Sequence, residues 1–210
     1  MGKQAKASVQ SGGGTQGKPA PVSKPATTAA LIVEAYRALS LTSGQIGKIG
    51  EGLVYRIATL QSDGELVFYK PEDDNEGTDW IAKRRYRGAD IKVQVKAREP
   101  QRPNGAVEVS IDAASLPPDD PKLVTILQFD AARPEAALIC WVIPSGDFRR
   151  LSSFSAGQYQ ALLSPAPNAR DRWVKYRHEL QEIADVFTAH LDDIEKREAR
   201  RLRPSRRAKP

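Results

Sequence analysis

An internal disulfide is excluded by number, because Cys140 is the single cysteine of the chain. It lies within Leu138-Ile139-Cys140-Trp141-Val142, an apolar setting that suits a buried structural thiol better than a nucleophile. Long hydrophobic runs are also missing. The longest, Ala136 to Pro144, is far short of the ~20 residues needed to cross a bilayer. Met1 to Gly14 lack the apolar stretch of a secretory signal, and Lys6 stands where a myristoylation motif would have Ser or Thr. These absences lead us to expect no membrane partner and a reduced, cytoplasmic setting. His178 and His190 are twelve positions apart, which is no metal spacing, and both are expected at the surface. There is no phosphate-cradling loop, no dinucleotide-binding glycine pattern and no cysteine–histidine zinc cluster.

What is abundant is charge, unevenly placed. The chain of 210 residues carries a net +6. Residues 1–27 hold Lys3, Lys6, Lys18 and Lys24 and no acid, for +4, while residues 196–210 set eight basic residues against Glu198, for +7. The segment between is therefore left at −5, so the basicity belongs to the tails. Such tails are either sequence-independent arms for phosphates or merely solvated ends. Residues 1–27, rich in Gly, Ser, Thr, Pro and Lys, read as disordered. The domain is expected over 28–195, followed by a basic tail over 196–210.

Within that domain the spacing predicts a helix over Thr28–Leu39. A second is predicted over Gly44–Leu60, with Ile46, Ile49, Leu53, Ile57 and Leu60 on one stripe and Ser43 as its cap. Strands are expected over Glu65–Lys70, Thr78–Lys83, Asp90–Arg98 and Val107–Ile111, and a buried one over Ala137–Ile143. A helix is expected near Pro121–Phe129. A long final helix over Arg170–Arg201 would place Trp173, Tyr176, Leu180, Ile183, Phe187, Leu191 and Ile194 on one face. Helices, then strands, then helices imply a mixed α/β domain: a central mixed β-sheet flanked by helices.

Three short pieces carry chemistry. Gly47-Lys48-Ile49-Gly50-Glu51 puts an acid on the helix. Gly77-Thr78-Asp79-Trp80-Ile81-Ala82 puts another at the opening of a strand. Val93-Gln94-Val95-Lys96-Ala97-Arg98 follows fifteen residues later, with Gln94 and Lys96 on one face of the next strand. Each alone has a plain reading: a solvated helix acid, a strand-start acid, the wet face of a half-buried strand. The acids Glu72, Asp73, Asp74 and Glu76 read as a solvated loop, and Tyr86 as a surface tyrosine with the option of stacking on a base.

In this order, on these element types, the three pieces resemble the PD-(D/E)XK nucleases, most closely the Mrr-like branch with its Gln-x-Lys motif. The resemblance covers about residues 44–98, with Trp80 in place of an aliphatic residue and no Pro immediately before Asp79. It implies a restriction-endonuclease-like core and Mg²⁺-dependent hydrolysis of DNA phosphodiester bonds, with Mn²⁺ as a substitute, in a restriction, repair or mobile-element context. Asp79 would be the main metal ligand and Glu51 a second. Gln94 would offer its carbonyl oxygen to the metal or its water, and Lys96 would orient the attacking water. Mg²⁺ prefers oxygen donors and keeps several waters, so two carboxylates suffice in principle. Nucleic-acid contacts are expected from Lys83, Arg84, Arg85, Arg87, Lys92, Arg98 and Arg102. With Lys96 these give 83–102 a net +6 against Asp90 and Glu99. DNA is the expected partner, with a homodimer or a second protein supplying target recognition. The rival reading is a catalytically inactive nuclease fold that binds nucleic acid or mediates assembly.

Overall fold

A computed structural model describes residues 41–72, 77–100, 102, 104–119, 121–129 and 139–201. The expected disordered segment, the expected helix over Thr28–Leu39, the acids Asp73, Asp74 and Glu76, and residues 202–210 of the basic tail lie outside them.

Helix α1 spans Ser43–Gln61. It starts one residue earlier than its sequence suggests, because Thr42 rather than Ser43 is the cap. The Thr42 hydroxyl accepts from the Gln45 N–H, and the Gln45 side chain accepts from the Thr42 N–H at 2.9 Å. This reciprocal arrangement satisfies two donors that the first turn leaves open. Ile46, Gly50, Leu53, Val54, Ile57 and Ala58 form its buried face, whereas Leu60 is turned outward and 67% exposed. Beyond α1 the chain reverses through Asp63 and Gly64, both with positive φ.

Six strands form the main sheet: β1 (Leu66–Tyr69), β2 (Trp80–Arg84), β3 (Arg87–Arg98), β5 (Lys122–Gln128), β6 (Ile139–Pro144) and β9 (Arg177–Glu179), in the order β1-β2-β3-β5-β6-β9. Only β3 and β5 run parallel; the other neighbours are antiparallel. The β2–β3 connection is tighter than the polar stretch from Lys83 to Asp90 suggests, since Arg84 already pairs with Arg87. A smaller sheet holds β4 (Val107–Asp112), β8 (Gln158–Leu163) and β7 (Ser153–Ser155) in that order.

The parallel strand β5 corrects the helix expected near Pro121–Phe129. All seven of its residues are buried. Leu123 and Leu127 face one core while Val124 and Ile126 face another. A strand covered on both faces shows a continuous apolar run, which periodicity cannot tell from a buried helix. The final helix is also shorter than expected. Trp173 and Tyr176 leave the stripe and enter the second core through a short 3₁₀ turn, and β9 then pairs with β6. Helix α3 runs over Ile183–Arg201 and keeps Ile183, Phe187 and Leu191 in the first core.

The central sheet therefore has two different coverings. On one face α1 and α3 pack through Leu53, Val54, Phe187 and Leu191, with Phe68 against Phe187 at 5.8 Å between ring centroids. On the other face lie Val107, Val109, Ile111, Ala161 and Leu163 of the small sheet and Phe148 of the short helix α2 (Ser145–Leu151). Burying each such Leu, Ile or Phe side chain contributes ~1.5–3 kcal/mol. Cys140 lies in the first core, fully buried, where desolvation and then the nearby Glu182 push its thiol up to about 12. That environment fits the inert, structural role expected for it.

Candidate active site

Asp79 stands directly before β2. Its backbone N–H donates to the Val93 carbonyl at 2.9 Å, and its Oδ2 accepts from the Val95 N–H at 2.6 Å. The side chain, not a further backbone carbonyl, thus closes the β2–β3 ladder, which fixes the carboxylate where the two strands part.

Glu51 arrives from the opposite side, on α1. Gly50 seats the helix on β3, where a Cβ would collide with the Ala97 methyl. The adjacent Glu51 is thereby carried to the same end of the sheet. Together they line an open cleft of about 520 Å³, with Lys48 and Gly52 from α1, Lys70 and Pro71 after β1, and Thr78 and Trp80 beside Asp79. The Glu51 carboxylate lies 3.7 Å from the Lys70 ammonium, which also sits 5.1 Å from the centre of the Trp80 ring. Trp80 is braced by Tyr55 at 4.7 Å between centroids.

Gln94 and Lys96 are not among the residues that line this cleft. Gln94 is 2% exposed, so it is no wet-face residue. Its Nε2 approaches Gly77 so closely that a Cβ there would come within 2.8 Å of it and of Ser115, and Gly77 also has φ of +61°. Only glycine meets both demands. Gln94 Oε1 is buried with no hydrogen-bond partner among the described residues. Gln94 therefore abuts the segment leading into Asp79 rather than the cleft itself. Lys96 is half-buried on the same face of β3, beside Ile126 in register.

A further residue, Lys122, escaped the sequence reading. It is 3% exposed, and its ammonium donates to the Thr78 hydroxyl at 3.4 Å, while its backbone N–H donates to the Ser145 hydroxyl at 3.2 Å. Thr78, Gln94, Lys122 and Ser145 are four of the six buried polar residues described, so the buried polarity of the domain gathers behind Asp79. A lysine after Pro121, read as the first turn of a helix, gave no sign of this. Its burial follows only from β5 being a central strand.

The basic residues over 83–102 do not form one patch around Asp79. Because β2 runs away from Asp79, Arg85 and the exposed Tyr86 lie at the far hairpin tip, with the Arg85 guanidinium 5.2 Å from the Tyr86 ring centre. Arg84 is committed to Asp192 and to Glu195 at 3.1 Å, both on α3. These pairs raise its pKa, the hydrogen bond to Asp192 foremost. Arg84 thus ties the hairpin to the helix. Lys83 lies over the Tyr69 ring at 5.2 Å, Arg98 donates to the Ala97 carbonyl, and Arg102 sits 4.0 Å from Glu108. Lys92 is half-buried and engaged, and the Arg87 side chain lies outside the described residues. His178 and His190 are half-buried rather than surface residues, and burial lowers the pKa of each.

Among the described residues no group of three or more acids, histidines or cysteines converges on a point. The donor set of the cleft is the two carboxylates of Glu51 and Asp79. That set fits a hard cation that keeps much of its own water and does not fit a zinc-type site.

No family model and no curated protein matches this chain. Among solved structures it is similar to that of a bacterial homing endonuclease, I-Ssp6803I, at 18% identity and a TM-score of 0.50, covering 72% of this chain and 98% of that one. At that identity the likeness speaks for the fold: the α/β architecture is one that a nuclease uses.

Proposed function

We propose that this chain is a divalent-metal-dependent DNA endonuclease of the PD-(D/E)XK type, in its Gln-x-Lys branch. The observation that carries the reading is the meeting of Glu51 and Asp79, from separate elements, in one open cleft of a nuclease-like fold. Glu51 and Asp79 are the residues that would hold Mg²⁺, which supplies a Lewis acid and an activated water when bound. Asp79 is held ready for this by its bond from Val95, so little reorganisation is needed at that ligand. Gln94 supports the segment entering Asp79 through the approach of its Nε2 to Gly77, and its carbonyl oxygen is buried without a hydrogen-bond partner among the described residues. Lys96 supplies positive charge to the phosphate or its attacking water from the neighbouring position on β3.

The test is cleavage of plasmid, linear, branched and single-stranded DNA with Mg²⁺ or Mn²⁺. Asp79→Ala should remove cleavage, and Lys96→Ala should lower it by ~10²–10³ or more, with both proteins still folded by circular dichroism. Variants that cut like the parent would end the assignment. One observation favours a second reading: Gln94 and Lys96 do not line the cleft. An inactive fold that retains nucleic-acid binding would bind DNA yet fail to cut under every metal tried.

A further inference from the structure

The cleft holds more positive charge than the catalytic reading uses, and one of its cations sits on a proposed ligand. The Lys70 ammonium is 3.7 Å from the Glu51 carboxylate. The two halves of this ion pair differ in freedom: the Lys70 side chain is 64% exposed and that of Glu51 only 23%. Lys70 is therefore the half that can move. Its second anchor is the face of Trp80, which Tyr55 braces from the helix side. An exposed ammonium on an aromatic face is held weakly but directionally, over the mouth of the cleft. Trp80, the one departure from an aliphatic residue in the motif, thereby acquires a role.

We propose that Lys70 is a phosphate-binding residue of this cleft, held by Glu51 and Trp80 in the metal-free protein and released toward DNA when Glu51 is taken up by a divalent cation. The proposal rests on the nuclease reading and adds a residue and a coupling to it. The physical basis is competition. A carboxylate neutralised by a nearby ammonium in an exposed pair gains little from it, whereas a doubly charged ion bound by oxygen attracts the same carboxylate more strongly. Once displaced, the ammonium lies beside a cation-loaded site, and its most favourable partner is the phosphate that the same site attracts. Lys70 is a flexible point charge with three donors, which suits a phosphate oxygen whose position changes between states. DNA affinity and metal affinity then become linked through one side chain.

Counterion release makes the coupling measurable. Each phosphate neutralised on duplex DNA steepens the plot of log affinity against log salt by ~0.9. The experiment measures binding of the full-length protein to a labelled duplex over a salt series, once in Ca²⁺ and once in EDTA. The proteins are the parent, Lys70→Gln and Lys70→Arg. In Ca²⁺ the slope of Lys70→Gln should be shallower than the parent's by ~0.9, and Lys70→Arg should retain the parent slope. In EDTA parent and Lys70→Gln should have the same slope, because the ammonium is then held by Glu51. Without DNA, Lys70→Gln should bind Ca²⁺ a few-fold more tightly by calorimetry, since the competitor is gone. Equal slopes in Ca²⁺ would overturn the phosphate role. A slope difference of the same size in EDTA would overturn the release. A parent that binds neither Ca²⁺ nor DNA would instead overturn the nuclease reading on which the proposal stands.

Discussion

Helix α1 rests on β3 at Gly50, and replacing that glycine by alanine should lift the helix from the sheet. An added Cβ would stand closer than 3.0 Å to the Ala97 methyl and 3.6 Å from Leu127. Two carbons need ~3.5–4.0 Å, so the helix must retreat by roughly 1–2 Å or tilt. Ala97 cannot yield easily, because it lies on a central strand between β2 and β5. Overpacking of this kind costs ~1–3 kcal/mol. The gain from Gly to Ala inside a helix offsets ~1 kcal/mol of it. The net loss should be up to ~2 kcal/mol, or as much as several degrees in Tm. The larger effect should be on chemistry: Glu51 is the next residue, and a displacement of ~1 Å at a catalytic group can cost ~10²-fold. Gly47→Ala is the control, since nothing lies within 4 Å of a Cβ there, and it should stabilise by up to ~1 kcal/mol. Adding Ala97→Gly to Gly50→Ala should restore cleavage more fully than stability, because glycine weakens a strand interior. Thermal melts and single-turnover cleavage at saturating Mg²⁺ measure both effects. If Gly50→Ala behaves like Gly47→Ala, more stable and fully active, the helix does not seat there and Glu51 is not positioned by that contact.

The buried Lys122 gives another test. Lys122→Met and Thr78→Val should each lower the cleavage rate at saturating DNA and leave KM nearly unchanged, and the double variant should be no slower than the worse single one. A lower Tm with unchanged rates would make the pair structural only. His178 and His190 give a pH dependence. Burial lowers their folded pKa below the ordinary 6.5, so the unfolded chain takes up protons first as pH falls. Stability should be full above that value and decline below it, and urea titrations of a His178→Gln/His190→Gln variant should show a smaller loss between pH 7.5 and 5.5. Deleting residues 1–27 and 202–210, which are rich in basic residues, should flatten the salt dependence of DNA binding and spare the saturated cleavage rate.

The parts of the fold that the sequence makes legible are those with one apolar face and one polar face. Helix α1 shows its stripe because its other side meets water, and β3 shows strict alternation because Ile91, Val93, Val95 and Ala97 all enter one core. Strand β5 has no wet face, and its pattern vanished with it. The short pieces β7 (Ser-Phe-Ser) and β9 (Arg-His-Glu) hold a single apolar residue between them. They gain strand structure from the neighbours they pair with, which no local window contains.

The site divides along the same line. The placements of Glu51 and Asp79 are legible because each is local, one on a helix and one at a strand opening. What their neighbours do with charge was not legible, since each such partner is remote in the chain. Arg84 meets Asp192 and Glu195 more than a hundred positions away, and Lys122 reaches back to Thr78. The basic residues over 83–102 are therefore not one group of equally free cations. One of them is neutralised by α3, and the hairpin carries others away from Asp79. Meanwhile Lys48 and Lys70, outside that window, stand in the cleft itself. The cationic groups nearest the proposed chemistry are thus set by where α1 and the end of β1 converge, not by the densest basic run. Mutating Lys70 should consequently affect DNA binding at this site more than mutating Arg84, whose loss should instead loosen α3 from the hairpin.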